Sequence, residues 1–323
     1  MTSLAQVTAL VDAHQSRDNA RFRAIALQIA ANLAARSERG ADQLRKLVEE
    51  HQATSLVPLP SASGLLSAPP DLSTLDDMVL APVVRSGLDR VVLEYRQRDM
   101  LSVHGLRPAR KLLFTGGPGV GKTMAAGALA RAVELPMFRV ELHGVIASHV
   151  GESAANLAKV FDHVRTMTAV YLFDEFDALG ADRTAQSDGS SAGAEMRRVV
   201  NSLLQFVEDD RSDSVIVAAT NHEEMLDAAI FRRFDEIVAF PAPSRDEVVE
   251  LLRRSLADVD VGTLDVDAIC AATSCNRLGH HDVCAALDRV RKDHVLADVP
   301  IDARTIGVAL AARGRLLSAE VLS

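Results

Sequence analysis

The densest chemical signal in the chain is Gly116-Gly117-Pro118-Gly119-Val120-Gly121-Lys122-Thr123, which fits the pattern GxxxxGK[ST]. Glycines at these spacings let backbone N–H groups turn inward around phosphate oxygens, and a following helix adds the positive end of its dipole. Lys122 is placed to reach the outer phosphates and Thr123 to ligate Mg²⁺, with Met124 next along the same stretch. The flanks suit this reading. The apolar run Lys111–Phe114 precedes the glycines, and the helical pattern MAAGALARAV follows the threonine.

Two further sites lie downstream. The apolar run Val170-Tyr171-Leu172-Phe173 ends in Asp174-Glu175. In a parallel sheet the C-terminal strand ends all face the ligand crevice. Asp174 would hold Mg²⁺, directly or through water, and Glu175, one residue on, would polarise an attacking water. The fourth apolar run ends in Thr220-Asn221, where the neutral amide of Asn221 can position that water or touch the γ-phosphate.

These residues need a scaffold, and the hydropathy pattern supplies one. Segments 111–117, 136–142, 169–175, 214–221 and 236–243 are short, apolar and rich in β-branched residues. They are almost continuously apolar, as parallel strands covered on both faces must be. Helical stretches separate the first four, which predicts a doubly wound α/β fold over 74–243. After Pro243 the strands stop and helical periodicity takes over, so 244–323 is expected to be a small all-helical lid. Residues 1–52 read as a helical module, from Leu4, Val7, Leu10 and Val11 and from later runs of the same period. Residues 53–73, rich in Pro and Ser, have linker composition.

The bulk numbers exclude several classes. The 323 residues are 48% hydrophobic and 24% charged, which rules out wholesale disorder. Residues 1–52 carry seven basic and six acidic side chains, against 28 and 38 in the remainder, so the net charge of −9 belongs to the rest of the chain. A strongly basic nucleic-acid footprint is absent. With ten Phe, two Tyr and no Trp, base-stacking platforms are also disfavoured. The most apolar stretch, Ala24–Ala35, is too short to cross a membrane and contains Gln28 and Asn32. Cys270, Cys275 and Cys284 make no disulfide framework, and no CxxC or paired-His spacing turns them into a zinc site with His280 and His281. Together with a first segment lacking a basic signal-peptide region, this predicts a cytoplasmic protein.

GGPGVGKT, VYLFDEFDAL, VAATN and LDAAIFRRFDEIVAFPAPS together resemble the AAA branch of the AAA+ ATPases, over roughly residues 74–296. The resemblance implies a five-stranded parallel sheet with a helical lid, ATP and Mg²⁺ as cofactors, and a homo-oligomeric ring, usually a hexamer, with ATP between subunits. It places Arg232 and Arg233 as the arginine-finger segment acting on the neighbouring subunit. The two are adjacent here, whereas the family's pattern separates them. It likens Leu75–Leu80 to the segment that passes the base. Leu278–Val283 is similar to the lid's second sensor, with His280 and His281 departing from the usual Gly-Ala-Asp run.

Ile146–Ser153 is similar to the first pore loop of protein-threading relatives, with His149 where many carry an aromatic residue. Residues 183–194 are small and polar, and suit a second pore loop. The leading expectation is therefore a ring ATPase that remodels or unfolds protein clients, with a separate protease as one further partner, since no HExxH motif appears. A non-threading ATP-driven switch, a nucleic-acid motor and a monomeric nucleotide kinase are the alternatives, in that order.

Overall fold

The structure, a computed structural model, describes residues 64–69, 73–145, 152–179, 191–226, 228–256, 269 and 278–320. The chain divides into two units, Met1–Val57 and Pro58–Ser323, and every described residue belongs to the second. The helical module expected over 1–52, His149 with its loop, residues 183–190, Cys270 and Cys275 lie outside the described residues.

Among the described residues the first element is the strand β1 (Leu66–Ser67), followed by the helices α1 (Pro82–Arg96) and α2 (Arg98–Val103). Strand and helix then alternate: β2 (Lys111–Thr115), α3 (Lys122–Ala132), β3 (Met137–Val140), the short α4 (Leu142–Val145), α5 (Glu152–Thr166), β4 (Val170–Phe173), α6 (Ser191–Asp209) and β5 (Val215–Thr220). A short α7 (Ala228–Phe231) leads into β6 (Glu236–Ala239). Helices α8 (Arg245–Ser255), α9 (His280–Ala297) and α10 (Ala303–Glu320) follow among the described residues.

The sheet runs β1-β3-β4-β5-β2-β6. All neighbours are parallel except β1, which pairs antiparallel with β3 through Leu66 opposite Val140. The five expected parallel strands are present, and β1 adds a sixth at the edge. The sixth comes from a stretch whose composition reads as linker. Two adjacent leucines, Leu65 and Leu66, are buried there, and the Glu141 N–H donates to the Leu65 carbonyl at 2.8 Å. Pro and Ser dominate the local average and mask a two-residue apolar anchor. The other strands match the apolar runs but end before them, and after β2, β4 and β5 the last residues of the run form the turns that line the cavity.

Alternation along the strands divides the buried side chains between two faces. Leu112, Phe114, Val170, Leu172, Val215 and Val217 pack with Val84, Leu88 and Val91 of α1 and with Leu129 of α3. The residues between them turn the other way. Phe138 and Tyr171 stack at 5.6 Å, and Phe161 of α5 stacks on Phe173 at 5.9 Å and on Phe206 of α6 at 5.1 Å. Both faces are thus covered, which is why the strands lack polar alternation. The lid has its own core, built by Val248 and Leu252 of α8, Val283 and Leu287 of α9, and Ile306 and Leu310 of α10. Its first helix begins with a capping box: Glu247 N–H donates to Ser244 Oγ at 3.3 Å, and Ser244 N–H donates to Glu247 Oε2 at 2.8 Å.

Among the polar side chains buried in the α/β layer, two pairs hold each other. Arg110 pairs with Asp210, which is fully enclosed and also accepts from Ser212 Oγ. His163 of α5 meets the Tyr171 hydroxyl at 2.6 Å through Nδ1, and that hydroxyl lies 2.9 Å from the Met167 carbonyl, to which it donates. Nδ1–H is therefore the donor to Tyr171, and Nε2 is enclosed with no partner among the described residues. Protonation would bury an unpaired N–H, so burial holds the His163 pKa below its ordinary 6.5. The unfolded chain takes up this proton as pH falls and the folded chain does not, so stability declines with falling pH. The melting temperature should drop between about pH 7 and about pH 5.5, and the slope should be shallower in His163→Phe. Parallel slopes for the two proteins would contradict this assignment.

Candidate functional site

The glycine-rich turn begins where β2 ends, between β5 and β6. Gly116 sits at φ 140°, and a Cβ there would fall 2.1 Å from the Phe240 carbonyl oxygen just after β6. No side chain fits. The loop is pressed against the neighbouring strand's exit and then opens toward the lid.

Lys122, first residue of α3, is 6% exposed. Its Nζ donates to the Gly116 carbonyl at 2.6 Å, the Gly117 carbonyl at 2.8 Å and Asn221 Oδ1 at 2.7 Å. Burial pushes its pKa below the usual lysine value, while Asp174 and Asp177 pull it back up. Thr123 Oγ1 donates to Asp174 Oδ2 at 2.8 Å. Glu175 turns at φ 54°, in the left-handed region, and its N–H donates to Asp174 Oδ1 at 3.0 Å. That conformation costs a non-glycine residue of order 1–3 kcal/mol. It follows β4 immediately and separates the directions of two adjacent carboxylates.

These groups share one cavity of about 560 Å³, lined by the loop from Pro118 to Met124, by Asp174, Glu175 and Asn221, and on the far side by Asp77–Val79, Leu251, His280 and His281. The sequence-predicted residues of the loop, of the acidic pair and of the amide therefore come together. Arg232 and Arg233 do not. Arg232 is exposed, and Arg233 Nε pairs with Glu208 Oε2 of α6 at 3.1 Å.

Three contributors escape sequence reasoning. Asp177 Oδ1 accepts from the Asn221 N–H at 3.0 Å and from Thr220 Oγ1 at 3.1 Å, fixing the amide that meets Lys122. Arg139 Nη2 stands 3.5 Å from Asp174 Oδ2, beside the end of β4. Asp282 Oδ2 accepts from the Gly279 N–H at 3.1 Å at the start of α9, and Asp282 Oδ1 accepts from Arg313 Nε at 2.9 Å. Each acts across strands or helices; Asp177, two residues past Glu175, and Asp282, inside the segment likened to the second sensor, carry a positional hint, and Arg139 carries none.

The lid meets the loop directly. His281 N–H donates to the Gly119 carbonyl at 3.0 Å, and a Cβ on Gly279 would lie 3.0 Å from the Pro118 carbonyl oxygen. The donor set fits a magnesium nucleotide. A buried ammonium and a helix N-terminus suit phosphates, and a hydroxyl beside a carboxylate suits a hard cation. The apolar Val79 and Leu251 suit a base.

Comparison with known proteins agrees. Residues 112–242 match the family described as "ATPase family associated with various cellular activities (AAA)". The chain is 40% identical over 208 residues to the uncharacterized AAA family ATPase y4kL of Sinorhizobium fredii, covering 64% of this chain and 62% of that protein. It is 30% identical to the proteasome-activating nucleotidase of Methanosphaerula palustris, over 64% of this chain and 52% of that one. It is 29% identical to the 26S proteasome regulatory subunit 10B homolog A of Arabidopsis thaliana, over 67% and 57%. Residues 112–242 therefore form an ATPase domain of the AAA family, and the chain spans less than two thirds of each of these relatives. Among the described residues no helix is long and apolar enough to cross a membrane.

Removing the brace on Asn221 should separate turnover from binding. Asp177→Ala leaves Lys122 its two loop carbonyls but loosens the amide. ATP turnover is expected to fall about tenfold while ATP affinity stays within about twofold, the scale of one lost charge-assisted hydrogen bond. An unchanged turnover in steady-state assays would show that Asp177 has no part in placing Asn221.

Proposed function

We propose that this chain binds ATP with Mg²⁺ between the loop 116–123 and the lid, hydrolyses it, and uses the cycle to remodel or unfold protein clients as a homo-oligomeric ring, a hexamer in the family's usual form. The observation that carries the ATPase reading is the convergence of Lys122, Thr123, Asp174, Glu175 and Asn221 on one cavity at the exits of β2, β4 and β5.

Lys122 Nζ is the cation that meets the outer phosphates. Its present partners are two loop carbonyls and a neutral amide, none of which cancels its charge. Thr123 Oγ1 and Asp174 Oδ2 are the oxygens that would hold Mg²⁺, Asp174 directly or through water. When bound, Mg²⁺ neutralises phosphate charge and orients the reacting group. Glu175 is exposed on the cavity side, where its carboxylate can take the proton of an attacking water. Asn221, held by Asp177, orients that water. Arg232 and Arg233 stand away from their own cavity, which suits a guanidinium offered to the site of a neighbouring subunit. The names of the proteasome-associated relatives support a protein client and, with it, a separate protease as partner.

Lys122→Ala should abolish tight ATP binding. Glu175→Gln should bind ATP normally and lose turnover by a factor of about 100 or more, the usual scale for a lost general base. Equal ATPase rates in wild type and Glu175→Gln would falsify the mechanism. Pull-down with Glu175→Gln in ATP should hold both ring and client. In a second experiment, Arg232→Ala and Arg233→Ala proteins should bind ATP but turn it over slowly. Mixing the impaired one with Lys122→Ala subunits should restore part of the rate, because one mixed interface is intact. Full activity in dilute, demonstrably monomeric protein would rule out the shared site.

A further inference from the structure

One strand residue breaks the pattern that a doubly covered sheet imposes. Met137, Phe138 and Val140 of β3 are buried, whereas Arg139 between them is charged and exposed. In the parallel register Arg139 lies opposite Leu172 of β4, which packs in the core shared with α1 and α3. Asp174, two residues beyond Leu172, meets α3 through Thr123. Leaning along its strand, Arg139 passes the end of β4 and brings Nη2 to 3.5 Å from Asp174 Oδ2. Glu141, the next acid along the chain, is engaged by Ser67 Oγ of β1 at 2.5 Å.

What the guanidinium does to Asp174 follows from the distances. Asp174 Oδ2 accepts from Thr123 Oγ1 at 2.8 Å, and Oδ1 accepts from the Glu175 N–H at 3.0 Å. Those two bonds already fix the direction of the carboxylate. At 3.5 Å Arg139 is beyond the ordinary length of an N–H···O bond, so it acts on Asp174 as a charge and not as a directional donor. Lys122, the other cation nearby, is turned to the Gly116 and Gly117 carbonyls and to Asn221. The Asp174 side chain is 14% exposed and that of Arg139 45%, so solvent screens the pair in part.

We propose that Arg139 sets the affinity of the site for Mg²⁺: its guanidinium faces the carboxylate oxygen that would hold the metal, so the dication binds against a positive charge. This rests on the reading of Thr123 and Asp174 as the pair that holds Mg²⁺. A hard cation is held by the charge of its oxygen ligands, and a guanidinium beside one of them offsets part of that charge. Arg139 acts through Asp174 and takes no proton or bond in hydrolysis. Because half-exposed charges are screened, the effect is several-fold and not orders of magnitude.

The test measures binding and not turnover. A non-hydrolysable ATP analogue is titrated calorimetrically into wild type, Arg139→Gln, Arg139→Met and Arg139→Lys, once with excess Mg²⁺ and once with EDTA, after thermal melting shows which variants fold. The ratio of the two affinities reports what the metal adds. It should rise about fivefold in Arg139→Gln and Arg139→Met, which remove the charge, and stay within about twofold of wild type in Arg139→Lys, which keeps it. An unchanged ratio in the two neutral variants would overturn the proposal and leave the ATPase reading intact. A lower ratio would overturn it in the opposite sense, by showing that Arg139 braces Asp174 for the metal. An equal rise in Arg139→Lys would overturn it by removing charge as the cause. Wild type that binds the analogue in neither buffer would overturn both readings.

Discussion

The burial of one ammonium organises this molecule. Lys122 places a charge at 6% exposure, and such a charge must be solvated by the protein. Three oxygens do this, two from the glycine-rich loop and one from the end of β5. The loop can bend back to offer those carbonyls only because Gly116 has no Cβ to strike Phe240. β5 can offer Asn221 only because it lies beside β2 in the sheet. The strand order, the glycine and the amide are one arrangement seen from three sides.

The same logic extends outward. Asn221 faces Lys122 because Asp177 holds its backbone, and Asp177 is there because β4 ends beside β5 and turns sharply at Glu175. That turn also sends the two carboxylates apart, with Asp174 toward Thr123 and Glu175 toward open solvent in the cavity. A charge that needs partners thus recruits the ends of three strands, each a separate segment of sequence.

The lid is tied to this centre at its helix start. Gly279 and His281 contact the loop by backbone, which joins the start of α9 to the phosphate loop. Asp282, which accepts from the Gly279 N–H, also accepts from Arg313 of α10, so the same helix start is fixed to the rest of the lid.

The sequence by itself determined the fold class and most of the cavity wall. Apolar runs without polar alternation specify a sheet covered on both faces, and GGPGVGKT specifies its own loop because the constraint is local: glycines, a lysine and a helix start within eight residues. Asp174-Glu175 and Asn221 were legible because they end such runs. Tertiary structure alone decided the rest. β1 is two residues long, and its existence depends on β3 being an open edge. Asp177, Arg139 and Asp282 look like ordinary charged residues until strand order and helix packing bring partners to them from as far as 44 positions away in the case of Asp177. His280 gives no sign in sequence of having both ring nitrogens enclosed. Burial is a property of everything that closes over a group, and that is set by packing of distant segments, which no local pattern of residues encodes.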